Sequence, residues 1–340
     1  KAAFLALRFM LLPILCIYVG KNIKIDRRQL SKLLRSVVAF ALILAVSGII
    51  ESYVLGDDFW TRIGYSTFAV KMKGNVEYRL YNGVSENYYT WDFFGVPIRR
   101  LVSITADPLA TAYLLYFGAL IIMTGNIPIK NKESKFNVYF IVEGILVACS
   151  VLSLSKAVLV LFAMTFLVFA YIYRWMPKIF LNLGIVVVVA LSVVVLKLYA
   201  SNATVTTSIL NHLMGLKNGF TNLRLLGNGL GTAGAAVMML TELEVFVGES
   251  YVGTMLFQIG ILGITVFGIF LYGQIRNLVR LYKMHKSKII ILALISILGV
   301  VICMVFSDSS VSIMGTGIYF IFVGIAQQEK IYLKEGEACL

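Results

Sequence analysis

Histidine and cysteine are scarce in this 340-residue chain, and so is charge. The only histidines are His212 and His285, and no HExxH spacing occurs, so no metal site is expected. Cys16, Cys149, Cys303 and Cys339 have no CxxC partner, and the first three lie inside apolar runs. They read as small buried apolar side chains, which excludes a disulfide framework and a thiolate metal centre. There is no Walker A motif and no dinucleotide fingerprint in a strand–helix setting, so no nucleotide cofactor is expected. Charged residues make up 14% of the chain and hydrophobic ones 59%, with a mean hydropathy of +0.88. A soluble domain carries about 25% charged residues and roughly 45–50% apolar ones. A soluble fold of this composition would lack the polar surface to cover its core, so that class is excluded.

What is present is a series of apolar runs. A hydrocarbon core takes about 20 helical residues to cross. Nine spans are read, at 2–20, 36–55, 104–124, 137–152, 157–173, 179–199, 250–273, 289–306 and 312–327. The expected fold is all-α, a single polytopic transmembrane bundle over 1–340. The first run lacks a basic n-region and a small-residue cleavage site, so it is not a signal peptide. The chain opens at Lys1 partway into an apolar run, which predicts further chain, with further spans, ahead of it.

The loops alternate between two sides. One set comprises 21–35, 125–136, 174–178, 274–288 and the tail from 328. The other comprises 56–103, 153–156, 200–249 and 307–311. The first set holds 18 of the 30 Lys and Arg, in segments such as KNIKIDRRQLSKLLR, and the second holds nine in far more residues. The positive-inside rule places the first set in the cytoplasm and the second outside. The net charge of +13 would suggest nucleic acid in a soluble protein. Here the basic loops account for it, and no nucleic-acid partner is expected.

Two outer loops, 56–103 and 200–249, exceed the roughly 12–15 residues beyond which loops are usually functional or disordered. The first is rich in Trp, Tyr and Phe, which suit the headgroup interface and also stack on sugar rings. In the second, Leu213, Leu216, Phe220 and Leu223 recur at helical spacing and predict a short interfacial helix. The run GNGLGTAG then breaks it. Gly227, Gly229 and Gly231 permit positive φ and close backbone approach, and their N–H groups are suited to an anion-binding concavity. Such a run is more often a plain turn.

The polar residues at the membrane ends of these loops are the candidates for chemistry. Glu249 and Ser250 enter span seven, where a carboxylate is costly unless paired or solvated. Glu249 also suits a helix N-terminus through the macrodipole. Arg99 and Arg100 enter span three, and headgroup binding or snorkelling would equally place them there. Lys156 lies between spans four and five, a common place for an interface anchor. Glu143, inside span four, reads as structural.

Four segments together resemble the O-antigen ligase and polysaccharide polymerase superfamily of bacterial envelopes, over about residues 95–265. RRLVSITADPLATAY resembles the family's Arg-x-x-Ser…Pro entry to a span. LSLSKAVLVL resembles its Ser-Arg turn, with Ser155-Lys156 here. NHLMGLKNGFTNLRLLGNGLGTAG resembles its periplasmic helix followed by Gly-x-Gly-x-Gly. GESYVGTMLFQIGILG resembles its closing segment, with Glu249-Ser250 where ligases carry His-Asn. An Arg ahead of the glycine run is absent at the family spacing; His212 stands near that place, and Arg224 lies closer to the glycines.

The resemblance implies a C-type glycosyltransferase fold in the bacterial cytoplasmic membrane, an outer-face active site, no metal and no cofactor. The donor would be an undecaprenyl-diphosphate-linked oligosaccharide, and a chain-length regulator and a flippase would be partners. A polymerase passes the glycan to the next lipid-linked unit, whereas a ligase passes it to another acceptor. The missing His favours the polymerase. As the anomeric carbon leaves, charge grows on the diphosphate, and a guanidinium fork binds it in bidentate fashion. Arg100 is assigned first, then Arg99 and Arg224, with Lys156 as a point charge and Gly227, Gly229 and Gly231 assisting. Glu249 is the candidate general base, and His212 a second base or phosphate contact. The rival from another class is a flippase or transporter for a lipid-linked glycan.

Overall fold

Asp26 shows why the first span pair turns where it does. Its carboxylate accepts from the Gln29 N–H, and the Gln29 side chain accepts from the Asp26 N–H. This capping box starts a helix at Arg27, well before the apolar run. The computed structural model describes residues 1–73, 80–91, 96–127, 138–172, 214–234, 250–328 and 331–332. Helix α1 is Ala2–Asn22 and α2 is Arg27–Ile49. A π-helical stretch, Ile50–Leu55, carries α2 into α3, Gly56–Arg62. Then come α4, Tyr65–Lys73, and four short strands: β1 Leu80–Tyr81, β2 Val84–Ser85, β3 Tyr89–Trp91 and β4 Pro97–Arg99. The strands form two antiparallel pairs, β1 with β2 and β3 with β4, with Tyr89 opposite Arg99. Helix α5 is Pro108–Met123, α6 Val138–Leu152, α7 Lys156–Ile172, and α8 covers 214–221. Helix α9 is Tyr251–His285, α10 Lys288–Phe306 and α11 Gly317–Ile325.

Among the described residues, four helices are long and apolar enough to cross a membrane: α1, Arg27–Arg62, α9 and α10. The spans expected at 104–124, 137–152 and 157–173 are shorter apolar helices, α5 to α7. That expected at 312–327 is the nine-residue α11. The span 179–199 lies outside the described residues. Two expected loops are corrected. Most of 21–35 belongs to α2, and 274–288 is helical through His285, because Lys, Arg, Gln and Leu are good helix formers in or out of a bilayer. The strand pairs were not expected in an all-α chain.

The helix ends sort into two groups. At one end the basic segments meet. Lys21 donates to Gln274, Gln328 to the Gly20 carbonyl, Arg27 to the Ile331 carbonyl and Lys288 to the Gly125 carbonyl. At the other end lie the long-loop segments and the 153–156 and 307–311 turns, joined as described below.

Helix α5 lies at the centre of the bundle and packs on α2, α6, α7 and α10. Tyr113, Tyr116 and Phe117 are fully buried, and α5 is apolar on every side, as a helix enclosed by others should be. The outer helices α1, α2 and α9 leave Phe4, Leu15, Ile43, Val266 and Ile269 exposed. Monomeric soluble proteins rarely expose contiguous apolar patches beyond a few hundred Å², and a lipid-facing surface explains these side chains. Cys16, Cys149 and Cys303 are buried free thiols.

Candidate active site

Arg99 and Arg100 are neighbours in extended chain, where successive side chains leave on opposite faces, and they meet different surroundings. Arg99 turns to the π-helical stretch and α3. Its Nη2 lies 2.5 Å from Glu51 Oε1 and its Nε 3.0 Å from Asp57 Oδ1. Its guanidinium stacks over Tyr88 and Tyr89, at 4.9 and 5.4 Å from the ring centroids. Glu51 is buried and also accepts from Trp60 Nε1 at 2.5 Å, Ser52 Oγ at 2.8 Å and the Ser103 N–H at 3.2 Å. Asp57 accepts from the Tyr89 hydroxyl. Two carboxylates thus neutralise Arg99 and bind the start of the first long loop to its end.

The aromatics of that loop are used in the same way. Trp60, Val84, Tyr88 and Val102 form a small buried core, with Trp60 edge-on to Tyr65 at 5.4 Å and to Tyr88 at 5.6 Å. Trp60 and Tyr88 are therefore inside the loop, neither an interface anchor nor an open stacking platform.

Arg100 faces inward and is buried. Its Nε donates to the Ser153 carbonyl at 2.9 Å, and Nη1 to the carbonyl and Oδ1 of Asn87 at 3.2 and 3.0 Å. Among the described residues it has no ion pair. Burial pushes its pKa down to about 10, and the Asp107 charge offsets part of that. The backbone follows the side chain, with the Leu101 N–H donating to the Leu152 carbonyl at 3.2 Å. The span-three entry is thus fastened to the 153–156 turn, where Ser155 is buried and Lys156 is exposed at the start of α7.

The glycine run is fastened to α9. Gly260 has φ 67° and ψ −164°, which ends one helical segment and starts another. Tyr251 and Phe267, sixteen positions apart, bring their ring centroids within 6.2 Å. A straight helix would separate them by about 24 Å. Span seven, expected over 250–273, is therefore two segments folded at Gly260. The break frees backbone groups on both sides, and residues 224–229 take them up. Asn228 and Gly229 donate to the Phe257 and Gln258 carbonyls at 2.8 and 3.1 Å. Ile261 and Leu262 donate to the Arg224 and Leu225 carbonyls at 3.1 and 3.2 Å. Irregular backbone near a bilayer persists only where protein satisfies it in this way. The Gly231 N–H donates to Gln258 Oε1 at 3.0 Å, and Gln258 Nε2 to the Ala233 carbonyl at 2.5 Å. The N–H groups of Gly229 and Gly231 are thus taken by Gln258 while this contact holds, and they do not form the expected anion cradle.

Helix α8 confirms the expected short helix in part. Leu213 lies outside the described residues, while Phe220 and Leu223 are exposed. Gly215 and Gly219, on the other face, press against Gly253 with backbone touching backbone. Arg224 follows at the tip, its side chain exposed beside exposed Leu225 and Leu226. It makes no side-chain hydrogen bond or ion pair among the described residues. Ser250 is buried and caps α9 by accepting from the Gly253 N–H at 3.1 Å. One turn on, Thr254 Oγ1 donates to Asp308 Oδ1 at 3.1 Å. His212 and Glu249 lie outside the described residues.

The chain matches no protein-family model, no curated protein and no solved structure. The site must be read from its own residues. The structure pairs the four segments, 99–107 with 153–156 and 222–234 with 250–262, and puts both pairs at the end opposite the basic loops. It adds Glu51, Asp57, Asp308, Gln258 and Gly260. Asp308 had a signal, an acid in a turn between two apolar runs. Glu51 and Gly260 sat inside runs that read as plain helix. Among the described residues, no group of three or more His, Cys, Asp or Glu could hold a metal ion.

Proposed function

We propose that this protein is a metal-independent glycosyltransferase of the O-antigen ligase and polymerase kind. It transfers an undecaprenyl-diphosphate-linked glycan to the next lipid-linked repeat unit, at the outer face of a bacterial cytoplasmic membrane. The observation that carries this reading is the pairing of the four resembling segments at one end of the bundle, away from the basic loops. Each of the four segments is hydrogen-bonded to another of them, in two pairs at the same end, as a shared site would require.

The surroundings of the cations reorder their roles. Arg99 is held between two carboxylates, so it positions the loop. Arg224 presents a guanidinium beside exposed leucines, where the diphosphate of a membrane-embedded lipid would lie, and becomes the first contact. Arg100 supplies a buried positive charge behind the site, held by carbonyl and amide oxygens with no ion pair among the described residues, and Lys156 a second cation on the same turn. Glu249, next to the buried cap Ser250, remains the general base, with Asp308 a second carboxylate over the first turn of α9. His212 remains the reserve base or phosphate contact.

The test is purified protein in nanodiscs with a synthetic lipid-linked repeat unit and no added metal. Polymer formation supports the reading, and its loss in Glu249→Gln or Asp308→Asn assigns the base. Transfer to a non-identical acceptor instead would favour the ligase variant. One observation favours a transporter as second reading, since broken helices such as α9 are common in transporters. Transbilayer movement of the lipid without new glycosidic bonds would establish that reading and overturn the first.

A further inference from the structure

The basic end of the bundle holds a cavity of about 370 Å³ that the proposed reaction does not use. That volume falls within the roughly 300–1,000 Å³ usual for small-molecule sites. Its polar lining is Arg27, Ser31, Asn126, His285 and Ser287, with Tyr332 closing one side, and among the described residues none of the lining is acidic. Six of the ten lining residues come from two strongly basic segments. Residues 21–35 hold six Lys and Arg against one Asp, and residues 274–288 hold five against none.

The donors are held in place rather than merely nearby. Arg27 Nε donates to the Ile331 carbonyl at 2.7 Å, which leaves the outer edge of its fork for another acceptor. The His285 ring stacks on Tyr332 at 4.5 Å and 14°. Tyr332 in turn is anchored by its hydroxyl donating to the Ala326 carbonyl at 2.6 Å. A fixed guanidinium, an imidazole and two hydroxyls around one cavity match a ligand with several anionic oxygens. Basic pockets between membrane helices bind phosphate-bearing headgroups on the same physical grounds.

We propose that this cavity is a binding site for a phosphate-bearing anion, with Arg27 as the charged contact and the His285 ring, Ser31 and Ser287 as further hydrogen-bond donors. A lipid headgroup and a soluble phosphate compound share this chemistry, and two arms of one experiment separate them. The first is calorimetry of the full chain in neutral detergent with inorganic phosphate. The second is native mass spectrometry of lipid retained from nanodiscs of phosphatidylglycerol mixed with phosphatidylcholine. Binding in the first arm assigns a soluble phosphate, and selective retention of phosphatidylglycerol alone assigns a headgroup. In the responding arm, Arg27→Gln and His285→Gln should each weaken binding about tenfold or more. Arg28→Gln, an exposed neighbour outside the cavity, should leave it unchanged. His285→Gln also removes the stack on Tyr332, so His285→Phe, which keeps an aromatic ring there and lacks the ring N–H groups, should weaken binding equally if the loss reads binding and not packing. No binding in either arm, or an equal loss in Arg28→Gln from diffuse attraction, overturns the site.

Discussion

Replacing Gly260 with alanine should release the 222–234 segment from α9. The φ of 67° with ψ −164° belongs to a region that only glycine occupies readily, and forcing another residue there costs about 1–3 kcal/mol. A Cβ at this position would also fall within 3.0 Å of the Arg224 carbonyl oxygen, the Gly227 nitrogen and the Leu225 carbonyl oxygen. These are backbone atoms and cannot swing aside, so the segment must move away. Four backbone hydrogen bonds cross this contact, and each contributes about 0.5–1.5 kcal/mol net. The combined loss, about 3–9 kcal/mol, exceeds what a local contact can absorb. Hydrogen–deuterium exchange in nanodiscs reads the result directly at the amides of Asn228, Gly229, Ile261 and Leu262. Gly229→Ala is the control, because its nearest neighbour would be Thr232 Cγ2 at 3.9 Å. It carries only the φ penalty, about one to two orders of magnitude in exchange rate. Gly260→Ala should take those four amides to full exchange. Unchanged protection in Gly260→Ala, or equal effects of the two substitutions, would refute the docking argument.

Three further outcomes are expected. Arg99→Ala leaves Glu51 and Asp57 without their cation and should lower the stability of the first loop by about 3–5 kcal/mol, read as increased proteolysis between α3 and β4; an intact loop would count against the clamp. Burial holds Tyr88 above its ordinary value of 10, so the unfolded loop releases this proton first and the contribution is full below about pH 10 and falls as pH rises above it. An ultraviolet titration of wild type against Tyr88→Phe should show no tyrosinate from Tyr88 near pH 10. Arg224→Ala should lower polymer yield with no loss of thermal stability, and Arg224→Lys should restore it only partly if the fork matters; full activity in Arg224→Ala would remove Arg224 from the site.

Composition and periodicity made the membrane class legible, because the excess of apolar residues leaves few alternatives. They also made legible which loops share an end, and the described helix ends group in the same way. Helix boundaries were less so. Charge marks where a chain leaves the bilayer, not where a helix stops, and α2 and α9 run on past the apolar runs through their Lys and Arg. The break at Gly260 was invisible for another reason. QIGILG continues the helical pattern, and only the arrival of residues 224–229 gives the break its partners. Arg99 and Arg100 read as equivalent cations, since adjacency in sequence says nothing of the faces they take. The carboxylates that separate their roles, Glu51 and Asp57, are more than forty positions away.

The contrast between those two arginines bears on why the site would need a ligand. Removing a guanidinium from water is costly, and a buried cation is normally paired with an anion. Arg99 follows that rule, with both its neighbours acidic. Arg100 is as well buried, but its described partners are the carbonyl groups of Ser153 and Asn87 and the Asn87 side-chain oxygen. Carbonyl dipoles solvate the charge without cancelling it. Burial lowers its pKa to about 10, with the Asp107 charge offsetting part of the shift, which leaves the group charged at neutral pH. For stability the fold needs only donors to these oxygens, not a full positive charge. It does gain a fixed positive potential at the end of the bundle where Arg224 and the 153–156 turn also lie, and a diphosphate is the kind of partner that would use it.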